Sequence, residues 1–212
     1  MLRKASERLA QRADRGEFHH EIFPPEPRLM RRLLFLAFTV VFLPSALCAQ
    51  SAGADIERTL LAAPASLRAE ATILELRPDG STVVLRGGSN GLICWDNEGR
   101  PGQMAPFDVQ CTVEANRSRL EQNHAIESAG GTVAEILARF ERVEADGTRA
   151  LSEWGSIYYH VYGDSAQDYR NHTVAAVPYA TRDLGFPIAR GPALLWLMEA
   201  GTSGAHLMVS GR

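Results

Sequence analysis

His160, Asp164, Asp168 and His172 bring two imidazoles and two carboxylates into one short stretch of the chain. These are ligand types for a divalent cation, which in turn can activate water for hydrolysis. No recognised ligand spacing joins them. A histidine in a strand is more often hydrogen-bonded within a packed face, and loop aspartates are usually turn formers. A metal set of His160, Asp164 and His172, serving a metal-dependent hydrolase, is therefore the second of two functional expectations.

The first expectation comes from the residues around the same histidine. In Ser156 to Tyr162, SIYYHVY, Ile157, Tyr159 and Val161 alternate with Ser156, Tyr158, His160 and Tyr162. A strand with that pattern has one largely aliphatic face and one carrying two phenols and an imidazole. Phenols supply apolar area together with a hydrogen-bonding tip, which suits a binding groove. Tyr158, His160 and Tyr162, joined by His206 from the last strand and flanked by Tyr179 and Trp196, form the expected ligand-binding set. The partner is then a small ligand or another protein, bound without catalysis and with no cofactor.

Other chemistries are weaker. Ser203 lies in Thr202-Ser203-Gly204, outside the G-x-S-x-G elbow of hydrolase nucleophiles. The Gly87-Gly88-Ser89-Asn90-Gly91 run lacks the Lys-Ser/Thr and helix of a phosphate-binding loop, so it reads as a strand connection. The sequons at Asn116 and Asn171 matter only in a host that glycosylates.

The compartment is set by Met30 to Ala49, MRRLLFLAFTVVFLPSALCA. Arg31 and Arg32, the apolar run Leu33 to Leu43 and the small residue at Ala49 have the order of a secretory signal peptide. Pro44 interrupts the run well short of the roughly 20 residues needed to span a bilayer. Leu47 before Cys48 speaks against lipidation. Residues 1–29 are polar and precede a complete signal, so Met30 is read as the more plausible start. The expected product is periplasmic or secreted, with no membrane attachment after cleavage.

From Gln50 onward the chain carries fourteen Arg, no Lys and twenty Asp plus Glu, a balance of 14 − 20 = −6. That surface argues against a nucleic-acid partner. Cys94 and Cys111 remain as an even pair in an oxidising compartment and are expected to be bonded. The bond closes WDNEGRPGQMAPFDVQ, a Gly- and Pro-rich loop with little reason to hold a shape of its own.

The elements that position these residues make a single α+β domain over 50–212. Its expected antiparallel sheet has five to seven strands, with two to three helices on one face. Ile56, Leu60 and Leu61 mark a short helix ending before Pro64. TILELRPDGSTVVLR reads as a hairpin turning at Pro78-Asp79-Gly80, and Leu92 to Trp95 as a third antiparallel strand. A polar helix follows Cys111, leaving His124 solvated. Thr132 and Glu135 fit a capping box ahead of Val133, Ile136, Leu137, Phe140 and Val143, a helix expected to bury Phe140 on the sheet. GDSAQDYRNH is expected as a loop before the strand TVAAVPYA. ALLWLM and AHLMVSG then form a closing hairpin.

One resemblance adds to this. Ser89-Asn90-Gly91 followed by Cys94, the second cysteine Cys111, and the closing Gly201-Thr202 with Ala205-His206-Leu207-Met208 resemble a group of uncharacterised secreted bacterial proteins. The resemblance implies export and carries no activity, cofactor or catalytic residue.

Overall fold

The structure is a computed structural model that describes residues 55–192 and 195–209. The expected signal peptide and the stretch before it lie outside the described residues. The core is one mixed sheet of eight strands in the order β2-β1-β3-β4-β5-β6-β8-β7. The strands are β1 Thr72–Leu76, β2 Thr82–Arg86, β3 Leu92–Asp96, β4 Phe107–Val113, β5 Ile157–Ser165, β6 Asp168–Ala176, β7 Leu195–Met198 and β8 His206–Val209. Eight strands exceed the five to seven expected. The helices are α1, of which 55–59 are described, α2 Arg117–Ser128 and α3 Val133–Ala145.

The β1–β2 hairpin forms as its sequence dictates. Asp79 Oδ1 accepts from both Ser81 N and Ser81 Oγ, and Gly80 takes φ 87°, which a side chain would resist. β3 departs from expectation, because it pairs in parallel with β1 instead of continuing an antiparallel meander. The glycine run makes this possible. A Cβ on Gly88 would stand 2.6 Å from Thr72 N, so only glycine lets the connection cross the start of β1. Glu70 O then accepts from Ser89 N and Asn90 N, which pins the crossover.

β3 and β4 pair antiparallel with Cys94 directly opposite Cys111, and the two are joined by a disulfide with Cα atoms 4.0 Å apart. The loop it closes is more ordered than its composition suggested. Asn97 Nδ2 and Met104 N both donate to the buried Asp108 carboxylate, and Trp95 Nε1 donates to Asn97 Oδ1.

β5 and β6 form the longest antiparallel pair. Much of GDSAQDYRNH, expected as a loop, continues these strands around a tight turn at Ala166–Gln167. The pairing register shifts between Gly163 and Ser165, and a Cβ on Gly163 would come within 2.6 Å of Tyr169 Cα. Glycine and the irregularity together admit polar residues that strand propensity disfavours.

One face of the sheet packs Ile73, Cys94, Cys111, Val109 and Val161 under Leu60, Ala62 and Ala63 of the first helical segment. On the opposite face α2 sets Leu120 against Leu74, Ile93 and Trp95. His124 was expected to be solvated, yet it is 2% exposed, with Nε2 bonded to Arg77 O at 2.7 Å and Nδ1 to Ser128 Oγ at 3.2 Å. The β1–β2 turn folds onto that side of α2 and covers the ring.

The capping box of α3 is present at Thr132 and Glu135. Its apolar stripe does not meet the sheet as expected. α2 already occupies that face, so α3 packs chiefly on α2, leaving Val133 70% and Leu137 55% exposed. Phe140 is only half-buried, with the Arg149 guanidinium 4.8 Å from its ring centre.

Candidate functional site

The side chains expected to bind share one face. Strand alternation puts Tyr158, His160 and Tyr162 together on β5, and register sets His172 opposite His160 on β6. β8 adds His206 and Met208 to the same face, and Trp196 lies opposite Met208 on β7. This face is covered by α2 only over its first strands.

The row divides into two places. In the first, His160 Nε2 bonds Asp108 Oδ1 at 2.8 Å. Burial works against the charge on Asp108, but hydrogen bonds from His160, Met104 N and Asn97 outweigh it and hold its pKa below the ordinary value. The Tyr162 ring lies tilted beside His160 at 4.9 Å, and His172 lies 5.7 Å from it, centre to centre. His172 is lowered by burial and then by the neighbouring His160 and His206.

Asp164 does not complete a site there. It is exposed, next to the irregularity at the end of β5. Among the described residues, no group of three or more His, Cys, Asp or Glu is placed to hold a metal ion. Asp168 sits exposed at the turn, where its N–H donates to Ser165 Oγ.

The second place is a cleft of about 210 Å³ between α2, β5, β6 and the β7–β8 turn, with Arg119, Tyr158, Glu199, Ser203 and His206 among its walls. Arg119 Nη1 donates to Ala150 O at 2.8 Å and to Ser203 Oγ at 3.0 Å. Ser203 in turn donates from N and Oγ to the two oxygens of Glu144 at the end of α3. Ser203 is thus a structural link between carboxylate and guanidinium, and among the described residues no imidazole bonds its hydroxyl to act as a base. His206 Nδ1 is bonded to Gly204 O at 2.8 Å, and Tyr158 shares a 2.8 Å hydrogen bond with Ser152.

Burial sets the electrostatics of this cleft. It lowers the pKa of Arg119 against the pull of Tyr158, Glu144 and Glu199, and it raises that of Tyr158 against Ser152 and Arg119. Arg149 next door is lowered to about 10 by burial and by Arg119. Its Nη1 is engaged with Gln122 and its Nη2 with Asn123. Arg119, in contrast, shows no protein partner for Nε or Nη2 among the described residues. Glu199 and Arg119 line the same cleft without closing an ion pair.

The backbone marks the same place. Tyr179 at φ 62° and Glu199 at φ 51° are the two non-glycine residues with positive φ among those described. Each costs of order 1–3 kcal/mol and persists only where the surroundings enforce it. Tyr179 N donates to Thr202 O at 2.7 Å, which ties one strained residue to the turn that carries the other.

Tyr158 and His206, expected from the sequence to bind, line this cleft, whereas Arg119, Glu199 and the structural use of Ser203 were not expected there. Arg119 lies on α2 and Glu199 and Ser203 on the β7–β8 turn, two distant segments, and no local pattern announces their meeting. No family model, curated protein or solved structure matches the chain.

Proposed function

We propose that this chain is an exported binding domain, without catalysis, that holds a small organic carboxylate in the Arg119–Tyr158–His206 cleft. The observation that carries this reading is the Arg119 guanidinium: partly buried, braced through Nη1, and with Nε and Nη2 left for a ligand. A guanidinium so presented matches a carboxylate fork. Glu199 stands on the cleft as the acceptor for an amine or hydroxyl elsewhere on the same ligand. The small volume favours a ligand below ordinary drug size. Tyr158 and the strained Glu199 supply a rigid wall.

Export is supported by the Cys94–Cys111 bond, which belongs to an oxidising compartment, and by the signal-like order of Met30 to Ala49. No described helix is long and apolar enough to cross a membrane. The resemblance to secreted bacterial proteins implies the same compartment.

Calorimetric titration of the mature protein with small amino- and hydroxycarboxylates, each paired with its matched primary alcohol, tests the reading. The carboxylates bind, and the alcohols bind at least tenfold more weakly, as expected for loss of a charge-assisted pair. Arg119→Lys weakens the carboxylates, and Glu199→Gln selectively weakens those carrying an amine. Equal binding of alcohol and acid, or no binding to any member, overturns it.

A further inference from the structure

The histidine pair beside the cleft has a neighbour that carboxylate-and-imidazole chemistry does not explain. His172 Nε2 lies directly against Met208 Sδ, and His172 Nδ1 is buried without a hydrogen-bond partner among the described residues. A thioether is a weak acceptor. One nitrogen against a thioether and the other without a partner leave His172 short of the ordinary hydrogen bonds of a buried imidazole.

His160 is prepared in a complementary way. Its Nε2 is taken by Asp108, itself fixed by Asn97 and Met104 N, so Nδ1 is the nitrogen left over. A carboxylate behind a histidine orients the ring and raises its basicity toward a metal. The separation of the ring centres is compatible with a shared ion. An imidazole bound at 2.0–2.1 Å puts its ring centre about 3 Å from the ion, so two such rings at a tetrahedral angle stand about 5 Å apart. The observed separation is 5.7 Å. Tyr162, 4.9 Å from His160 and 6.1 Å from His172, closes one side.

We infer that His160, His172 and Met208 form a binding site for a soft monovalent metal ion of the Cu(I) class. Two imidazoles with one thioether select copper over the hard cations, which favour oxygen ligands. This donor set differs from the hydrolytic metal set expected from sequence: Asp164 is replaced by Met208, and with it the chemistry changes from water activation to soft-ion capture. Met208 is half-buried on β8, and its unbranched side chain can swing off the imidazole to admit an ion between them.

Packing alone could place a thioether against an aromatic ring, so the test separates packing from ligation. The mature, metal-free protein is titrated with Ag(I) in chloride-free buffer and with Cu(I) buffered by a chromogenic chelator, and Zn(II) serves as the hard-to-borderline control. One equivalent of Ag(I) and of Cu(I) binds, more tightly than Zn(II). Met208→Leu keeps the volume and is expected to fold, yet it loses roughly tenfold or more in Cu(I) affinity. His172→Gln does the same, and Asp108→Asn weakens binding by roughly 10- to 100-fold by releasing His160. No stoichiometric Ag(I) or Cu(I), unchanged affinity in a folded Met208→Leu protein, or a preference for Zn(II) overturns the assignment.

Discussion

Ile93, Cys94, Val109 and Cys111 show no exposed surface, whereas Ser203, Glu144 and Arg119 hold their corner of the molecule through hydrogen bonds to charged groups. The first region, from β1 to β5, is packed on both faces and crossed by a disulfide. The second joins the end of α3 to the β7–β8 turn through the Glu144–Ser203–Arg119 hydrogen bonds, beside a smaller apolar cluster of Val177, Ala180, Leu197 and Ala205, and it carries the strained Glu199. Apolar burial gives the first region most of its stability, and it meets the cleft at its edge, through Tyr158 on β5 and Arg119 on α2. Polar tethering gives the second an open guanidinium at the expense of robustness. The proposed binding chemistry therefore falls in the polar corner, as expected if low-stability elements supply the functional surface.

Breaking the first region should cost most. Ile93→Ala removes a side chain buried between α2 and the sheet, and it should lower unfolding stability by about 2–5 kcal/mol in chemical denaturation. Replacing Cys94 and Cys111 together with Ala opens a link of sequence separation 17 and should cost on the order of 3 kcal/mol. If either change is tolerated with less than about 1 kcal/mol lost, the packed half is not the main source of stability.

The second region should show a smaller effect with a pH signature. Burial tends to raise the pKa of Glu144, but hydrogen bonds from Ser203, with Arg119 and Arg149 nearby, bring it below its ordinary 4.5. A carboxylate whose pKa is lowered by folding adds stability that is complete above its ordinary value and is lost as pH falls through the folded value. Ser203→Ala should cost about 1.5–3 kcal/mol at neutral pH, the scale of a hydrogen bond to a charged group. The variant should then lose less than the parent as pH falls below 4.5. Parallel pH curves for the two proteins would remove the Glu144–Ser203 tether from the comparison.

The stripe on α3 sharpens the contrast further. Leu137→Ala should change stability by no more than about 0.5 kcal/mol, since the side chain is largely exposed. Phe140→Ala should fall short of the 3–5 kcal/mol of a fully buried ring. A full-size loss at either position would mean that α3 packs more deeply than its exposure indicates.

Local signals were legible where local forces decide. The Pro78-Asp79-Gly80 turn, the Thr132–Glu135 capping box, the alternation of SIYYHVY and the Cys94–Cys111 pair each depend on residues close in sequence or on simple parity. Long-range outcomes were not. Parallel pairing of β3 with β1 depends on how closely Gly88 can pass the backbone at Thr72. Exposure of the α3 stripe depends on α2 having taken the sheet face first. His124 was misplaced for a similar reason, since its cover comes from the turn at Arg77. At the candidate site, β5 supplied Tyr158 and the last strand supplied His206, but Arg119 and Glu199 meet them only through the fold.

The most direct measurement is a heteronuclear NMR titration of the mature protein with a small aminocarboxylate. Shift changes should concentrate at the Arg119 side chain, Tyr158, Ser203, Gly204 and His206, and vanish in Arg119→Lys. Changes confined to the buried residues around the Cys94–Cys111 bond, or none at millimolar ligand, would contradict a carboxylate site in the polar corner.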